Sequence, residues 1–311
     1  MTENFRKGEF GNKAAGFYSP TQLPGDEVER RSWQDANKAW WEATPMRYDW
    51  REQIDESPGT RAYFQEIDRR FFSSVRKFMP WRNVPFDAVI PYEDLADKDV
   101  LEIGVGQGTH AQLIAPRCKS YTGIDLTSRA TQATSQRLRL FGVPARVLQM
   151  DAENMTFAAD SFDYIWSWGV IHHSADTRKI LIEMHRVLRP GGSCAVMVYH
   201  RSWWIYYVLC GFLKGILLGK LLTHRNVHHV AQTATDGAIA RYYTPSEWRL
   251  ITNGLFTVES IQIHGLKTDI IPIPHGVLKR SLETLVPDGL ARLFTHRMRL
   301  GSFLVAHMRK V

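Results

Sequence analysis

Val100-Leu101-Glu102-Ile103-Gly104-Val105-Gly106-Gln107-Gly108 is the stretch on which the fold turns. Val100, Leu101 and Ile103 lead into it as a buried strand would. Three alternating glycines follow, and Glu102 stands two places before the first. Glycine lets a backbone turn tightly and approach a ligand with no side chain between. The turn opens onto a helix start, whose unpaired N–H groups make a polar cradle. A dinucleotide fingerprint, G-x-G-x-x-G or its form ending in alanine, fits poorly. Counted from Gly104 it ends on Thr109 and fails. Counted from Gly106 it ends on Ala111 and is met, but Gly104 and Glu102 are left without a role. Only E-x-G-x-G-x-G accounts for all four residues.

Further strands follow at the expected intervals. Tyr121-Thr122-Gly123-Ile124 ends on Asp125, placed to accept ribose hydroxyls or, with Thr127 and Ser128 following, to cap a helix. The strand Ala145 to Met150 ends on Asp151, which taken alone reads as a plain loop aspartate. Phe162-Asp163-Tyr164-Ile165-Trp166-Ser167-Trp168 is a fourth strand, followed by Gly169-Val170-Ile171-His172-His173. A helix with Ile180, Leu181, Met184, Val187 and Leu188 on one face comes next. The glycines of Arg189-Pro190-Gly191-Gly192 read as its stop, and the strand Ser193 to Tyr199 completes the run.

E-x-G-x-G-x-G, F-D-x-I at 162–165, the histidine pair and R-V-L-R-P-G-G at 186–192 together resemble the class I S-adenosylmethionine-dependent methyltransferases. Within them the likeness is to the small-molecule branch of quinone, sterol-like and natural-product enzymes. It covers 98–200 well and 242–310 more weakly but in register. The resemblance implies an α/β fold: a seven-stranded Rossmann-like sheet with helices on both faces and an antiparallel last strand beside the sixth. It implies S-adenosyl-L-methionine as cofactor, held by Glu102, Gly104, Gly106, Gly108, Asp125, Leu126, Asp151, Ala152 and Trp168, with Asp151 and Ala152 at the adenine.

The chain's 311 residues, 44% apolar, suit one large domain with additions. We divide it into an aromatic-rich helical lid, 1–97, and a methyltransferase domain, 98–311, with insertions at 201–241 and 265–300. Cys118, Cys194 and Cys210 lack metal or redox spacing and read as small apolar residues of a reduced compartment. The first twenty residues are polar, with Lys7 and Lys13 and no apolar run, so no signal peptide is expected. Net charge is +7 and the sequence pI about 9.3. The basic residues are scattered, as at Arg30-Arg31, Arg69-Arg70 and Arg292 to Arg299, and no recognition motif accompanies them. No nucleic-acid partner is expected; an anionic membrane surface or an acidic small substrate suits the charge equally well.

Trp33, Trp40, Trp41 and Trp50 crowd the N-terminal segment. They read as a packed helix or as a lid whose rings shield a cationic methyl donor and exclude water. Pro58-Gly59 begins a helix with Phe64, Ile67, Phe71, Val75 and Phe78 on its packed face. Ser202 to Leu222 is nearly all apolar, long enough to span a bilayer, with Gly211, Gly215 and Gly219 suited to close helix packing. It lies between strands of one sheet, so the chain must return to the same side, and Lys214 is costly at mid-membrane. Two readings remain: a roof over the acceptor pocket, or an interfacial anchor with Lys214, Lys220, His224 and Arg225 meeting lipid phosphates. The protein is expected in the cytoplasm, and on the anchor reading peripheral at the inner membrane face. Thr244, Pro245 and Glu247 form a capping box, and 265–300 carries Pro272, Pro274 and Pro287.

In-line methyl transfer to a small, hydrophobic or lipid-like acceptor needs alignment and dryness more than a base. Where a proton must leave, His172, His173 and His200 are candidates. The pair has another reading, packing against the cofactor or capping the next helix. Tyr199, Tyr242 and Tyr243 stand near the same strand ends. No metal site is implied: His228-His229 and the other histidines lack carboxylate or cysteine partners at ligand spacing. Base-methylating enzymes carry Asn/Asp-Pro-Pro-aromatic where this chain has Ser167-Trp168-Gly169-Val170. The competing readings are a polar sugar or metabolite acceptor and a non-catalytic, membrane-associated cofactor-binding scaffold.

Overall fold

The computed structural model describes residues 14–48, 53–224, 226–233, 235–271 and 277–311. Lys7, Lys13, Trp50, Arg225, Pro272 and Pro274 lie outside the described residues.

The helices and strands run α1 (Glu27–Ala43), α2 (Arg61–Phe78), β1 (Asp99–Ile103), α3 (Thr109–Ile114), β2 (Ser120–Asp125), α4 (Ser128–Phe141), β3 (Arg146–Gln149), β4 (Phe162–Trp168), α5 (Thr177–Val187) and β5 (Leu188–Tyr199). A π-type helix, Trp203–Leu217, leads to α6 (Lys220–Thr223), α7 (Val227–Gln232), α8 (Pro245–Thr252) and β6 (Phe256–His264). Then come α9 (Lys267–Ile270), α10 (Val277–Leu285), α11 (Asp288–Arg292), a short π-type turn (Leu293–Arg297) and β7 (Phe303–Lys310). The seven strands form one sheet in the order β3-β2-β1-β4-β5-β7-β6. β7 lies antiparallel between β5 and β6, and the other pairs are parallel. This is the Rossmann-like sheet implied by the sequence.

Side chains alternate across the sheet, as a pleated strand requires. Leu101, Ile165, Val196 and Leu304 enter one core; Val100, Tyr164, Trp166, Ala195 and Val305 enter the other. The second core also takes Phe71, Val75 and Phe78 from α2, so this helix packs one face as its spacing predicts. Its start differs: Thr60 caps the Tyr63 amide, and the helix begins at Arg61, after rather than at Pro58-Gly59. The glycine stop also differs. Helix α5 ends at Val187, and Leu188 already pairs with Phe162. Arg189 to Gly192 form the irregular start of β5, where the register shifts and Gly191 turns left-handed (φ +76°). A bulge in the ladder, not a helix cap, uses the glycines there. The capping box at Thr244 and Glu247 forms as read.

The apolar insert folds back beside the sheet. A side chain at Gly211 would come 3.4 Å from Val227 Cγ1, and one at Gly215 would come 3.0 Å from Leu221 Cγ. These glycines let α6 and α7 approach, whereas Gly219 is a left-handed turn (φ +67°) that opens α6. No helix among the described residues is long and apolar enough to cross a membrane.

Candidate active site

The glycine turn uses each glycine differently. At Gly104 (φ +84°) a Cβ would fall 2.2 Å from Val170 Cγ2, so the absent side chain makes room for the loop after β4. At Gly108 (φ +77°) it would press on Thr134 and Arg137. At Gly106 (φ +52°) nothing lies within 4 Å, so of the three glycines this one faces open space. Gly106 N donates to Asp125 Oδ2 at 3.2 Å. Asp125 Oδ1 accepts from the Thr127 amide and hydroxyl at 3.0 and 2.8 Å. Thr127, not Asp125, caps α4. Asp125 thus faces the glycine turn from the end of β2, with burial raising its pKa.

The glycine turn is braced from behind. Arg137, 1% exposed, donates to Gln112 Oε1 (2.7 Å), Gln107 O (3.2 Å), Thr109 Oγ1 (3.1 Å) and Asp68 Oδ2 (2.5 Å). Thr109 Oγ1 donates to Asp68 Oδ1 at 2.9 Å. Glu102 is 1% exposed and accepts from Tyr121 Oη at 2.7 Å. Burial pushes its pKa up to about 8, against the opposing pull of that hydrogen bond.

Helix α1 lies across the ends of β2 and β3, tied down by residues that the sequence did not single out. Gln34 Nε2 donates to Asp151 Oδ1 at 2.9 Å, and its Oε1 accepts from Ala175 N at 3.2 Å. Glu42 Oε1 accepts from Ser128 Oγ at 2.7 Å and from Arg129 N at 3.2 Å. Asn37, one turn on from Gln34, is 5% exposed with Oδ1 unbonded among the described residues. Asp151 Oδ1 also accepts from Glu153 N at 2.9 Å. Leu126 and Ala152 follow these two carboxylates, both half-buried. Trp168 lies on the α3 side, its ring 4.9 Å from Phe86 and 6.1 Å from His110. Polar residues spaced i, i+3 among the α1 tryptophans were the available signal for Gln34 and Asn37.

Two of the three candidate histidines come together. The His172 ring lies 4.1 Å from that of His173 and 4.0 Å from that of Tyr199, tilted against each. Trp41 of α1 meets His173 at 5.0 Å, and Tyr242 meets Tyr199 at 5.5 Å. Tyr206 of the π-type helix closes on Tyr242 at 5.4 Å. His173 Nδ1 lies 2.6 Å from Ile239 O and donates to it, leaving Nε2 as the basic nitrogen of the neutral ring. His172 is wholly buried, with neither ring nitrogen bonded among the described residues, and burial holds its pKa well below the usual value. Burial, then Asp236, keeps Tyr199 a neutral phenol. His200 stands apart: Nδ1 donates to Gly301 O at 2.8 Å and its amide to Ser302 O at 2.7 Å, tying β5 to the start of β7. Tyr243 bridges to His200 through the backbone. Among the described residues no three His, Cys, Asp or Glu side chains group as metal ligands.

A family described as "Methyltransferase domain" matches residues 101–196. The tRNA U34 carboxymethyltransferase of Methylococcus capsulatus is 26% identical over 217 residues, 57% of this chain and 66% of that protein. A phthiotriol/phenolphthiotriol dimycocerosates methyltransferase of Mycobacterium tuberculosis is 38% identical over 101 residues, 32% of this chain and 37% of that one. The chain therefore spans under two thirds of the length of the first relatives it matches. Among solved structures, geranyl diphosphate C-methyltransferase from Streptomyces coelicolor shares the fold, with a TM-score of 0.55, 14% identity and coverage of 93% of this chain and all of that one. The matched segment runs from the glycine turn through both carboxylate-ended strands to the middle of β5, and it is as a methyltransferase domain that residues 101–196 are recognised.

Proposed function

We propose that the protein methylates a small, hydrophobic or lipid-like acceptor seated among Trp41, His172, His173, Tyr199 and Tyr242. The observation that carries this reading is the aromatic wall of Trp41, His173, Tyr199 and Tyr242, and the open space at Gly106 supports the cofactor's place. S-adenosylmethionine supplies the activated methyl group. Asp125 and Leu126 would hold its ribose side; Asp151 and Ala152 would hold the adenine, and Gly104, Gly106, Gly108, Glu102 and Trp168 the remainder. Residues 1–97 act as the lid and 98–311 as the catalytic domain. Aromatic faces favour the sulfonium and keep water out. His173, with Nδ1 held by Ile239 O, takes the proton from an acceptor that must lose one; His172, with its depressed pKa, packs the wall. The place of work is the inner face of a membrane.

The test is methyl-labelled S-adenosylmethionine incubated with the protein and whole-cell extract, then split into organic, aqueous and RNA fractions. Label in the organic phase is expected. Label only in the aqueous phase means a sugar or polar metabolite, and label in RNA means a substrate like that in the name of the Methylococcus relative. Cofactor binding without transfer to any fraction means a scaffold.

A further inference from the structure

We propose that the outer face of the Trp203–Leu217 helix, with the turn running on to Leu222, docks on an anionic lipid bilayer from which the acceptor is drawn. The proposal rests on the lipid-like acceptor argued above and assigns the surface through which it arrives. The helix has two sides. Tyr206, Cys210, Gly211 and Gly215 are buried, packed with Val230, Ala231 and Tyr242. The opposite side offers Trp203 (58% exposed), Tyr207, Ile216, Leu217, Leu218 and Leu222 (92%) to solvent. Single exposed apolar residues are ordinary; a run of them on one short segment marks an interaction surface.

Charge selects the occupant. From Arg201 to Thr235 the sequence holds no Asp or Glu, while Lys214 and Lys220 stand within or beside the apolar face. Neither lysine makes an ion pair among the described residues. Half-buried lysine stems suit a helix lying in the plane of an interface, with ammonium groups reaching lipid phosphates. Trp203 and Tyr207 are the residue types enriched at that depth. A protein partner would leave these cations without a specified counter-charge, whereas anionic headgroups supply one along the whole segment. The 15-residue helix is too short to span, so it lies flat. The second insertion abuts it: Trp204 Nε1 donates to Asp269 O at 2.9 Å. The aromatic cluster proposed to seat the acceptor is one helix away, because Tyr206 on the buried side meets Tyr242.

Sedimentation with vesicles of phosphatidylcholine alone, or mixed with phosphatidylglycerol, tests this. The full chain should bind the mixed vesicles about tenfold more tightly or better, and lose that preference in high salt. Leu217→Asn, Leu218→Asn and Leu222→Asn combined should abolish binding at unchanged melting temperature and cofactor affinity. Lys214→Gln with Lys220→Gln should remove only the preference for phosphatidylglycerol. Equal binding by the leucine variant, or no binding by the native chain, overturns the proposal. So does a native dimer that the leucine variant turns into monomer, which would make a second copy the occupant. Methyl transfer to detergent-extracted lipid is read separately: its absence defeats the acceptor reading and leaves the vesicle result standing.

Discussion

Gly104 and Gly106 sit two residues apart, and their surroundings predict opposite defects. Gly104→Ala forces a side chain into Val170 at a left-handed φ. Such a clash should cost roughly 2 kcal/mol or more of stability. Gly106→Ala meets nothing within 4 Å, so denaturation should register only about 1 kcal/mol of backbone strain, while its new methyl fills the cradle. Calorimetric titration with the cofactor should then show Gly106→Ala at least tenfold weaker. If instead Gly106→Ala binds normally, the cofactor does not lie against that glycine. Glu102 makes a pH prediction. Its carboxyl keeps a proton up to about pH 8 in the folded chain, against an ordinary value of 4.5. Between those limits the unfolded chain has released a proton that the folded chain retains, so stability falls as pH rises through the window and levels off above it. Glu102→Gln, neutral at every pH, should flatten that decline, worth a few kcal/mol at most, in denaturant titrations repeated at about pH 5 and about pH 8. These glycines and carboxylates were legible because the short run that names them also builds their environment. His200 was not: its diversion depends on Gly301 O, a hundred residues away in β7's approach.

Helix α2 does more than pack. It carries Asp68, whose carboxylate meets Arg137 of α4 and Thr109 of α3 behind the glycine turn. Asp68→Ala leaves a guanidinium that is 1% exposed with its amide and carbonyl partners but without its counter-charge. Asp68 is itself partly solvated, so about 1–3 kcal/mol of destabilisation is expected, at the low end for a buried pair. Cofactor affinity should fall with it, because the turn loses its brace. Arg137→Lys in the native background should show both losses too, since an ammonium cannot reach Gln112, Gln107 O and Asp68 together. A cofactor titration on Asp68→Ala that matches the native chain would confine the pair to stability. Periodicity showed that α2 packs one face, as its buried Phe64, Ile67, Phe71 and Val75 do. It could not show that Asp68, on a polar position, is spent on the site. Arg189 to Gly192 mislead for a related reason: the same glycines suit a helix stop and a strand bulge, and only the pairing of Leu188 with Phe162 decides between them.

At the scale of the molecule, the additions to the sheet gather at the strand ends where open α/β sheets bind ligands. The central sheet was readable because each strand carries its own pattern. The roof was not, since α1 reaches its partners only after the chain has closed: Gln34 meets Asp151, Glu42 meets Ser128, and Arg30 pairs with Glu153 at 2.7 Å. A further tie joins the N-terminal segment to the first insertion, where Arg241, fully buried, lies 4.8 Å from the Phe17 ring and 5.9 Å from that of Trp33. Helix α1 therefore bridges the ends of β2 and β3 through side-chain bonds that a bound cofactor would reinforce or replace. Asn37 Oδ1 is buried and unbonded among the described residues, and we expect it to accept from the nucleoside. Hydrogen exchange should accordingly slow across Glu27–Ala43 when S-adenosylhomocysteine is added, with α2 unchanged because its ties are to the protein alone. Asn37→Ala should weaken the nucleoside by about 1–2 kcal/mol without lowering the melting temperature, as expected for a hydrogen bond made only to ligand. Equal exchange in α1 with and without the nucleoside would mean that the helix is fixed to the sheet whatever the site holds.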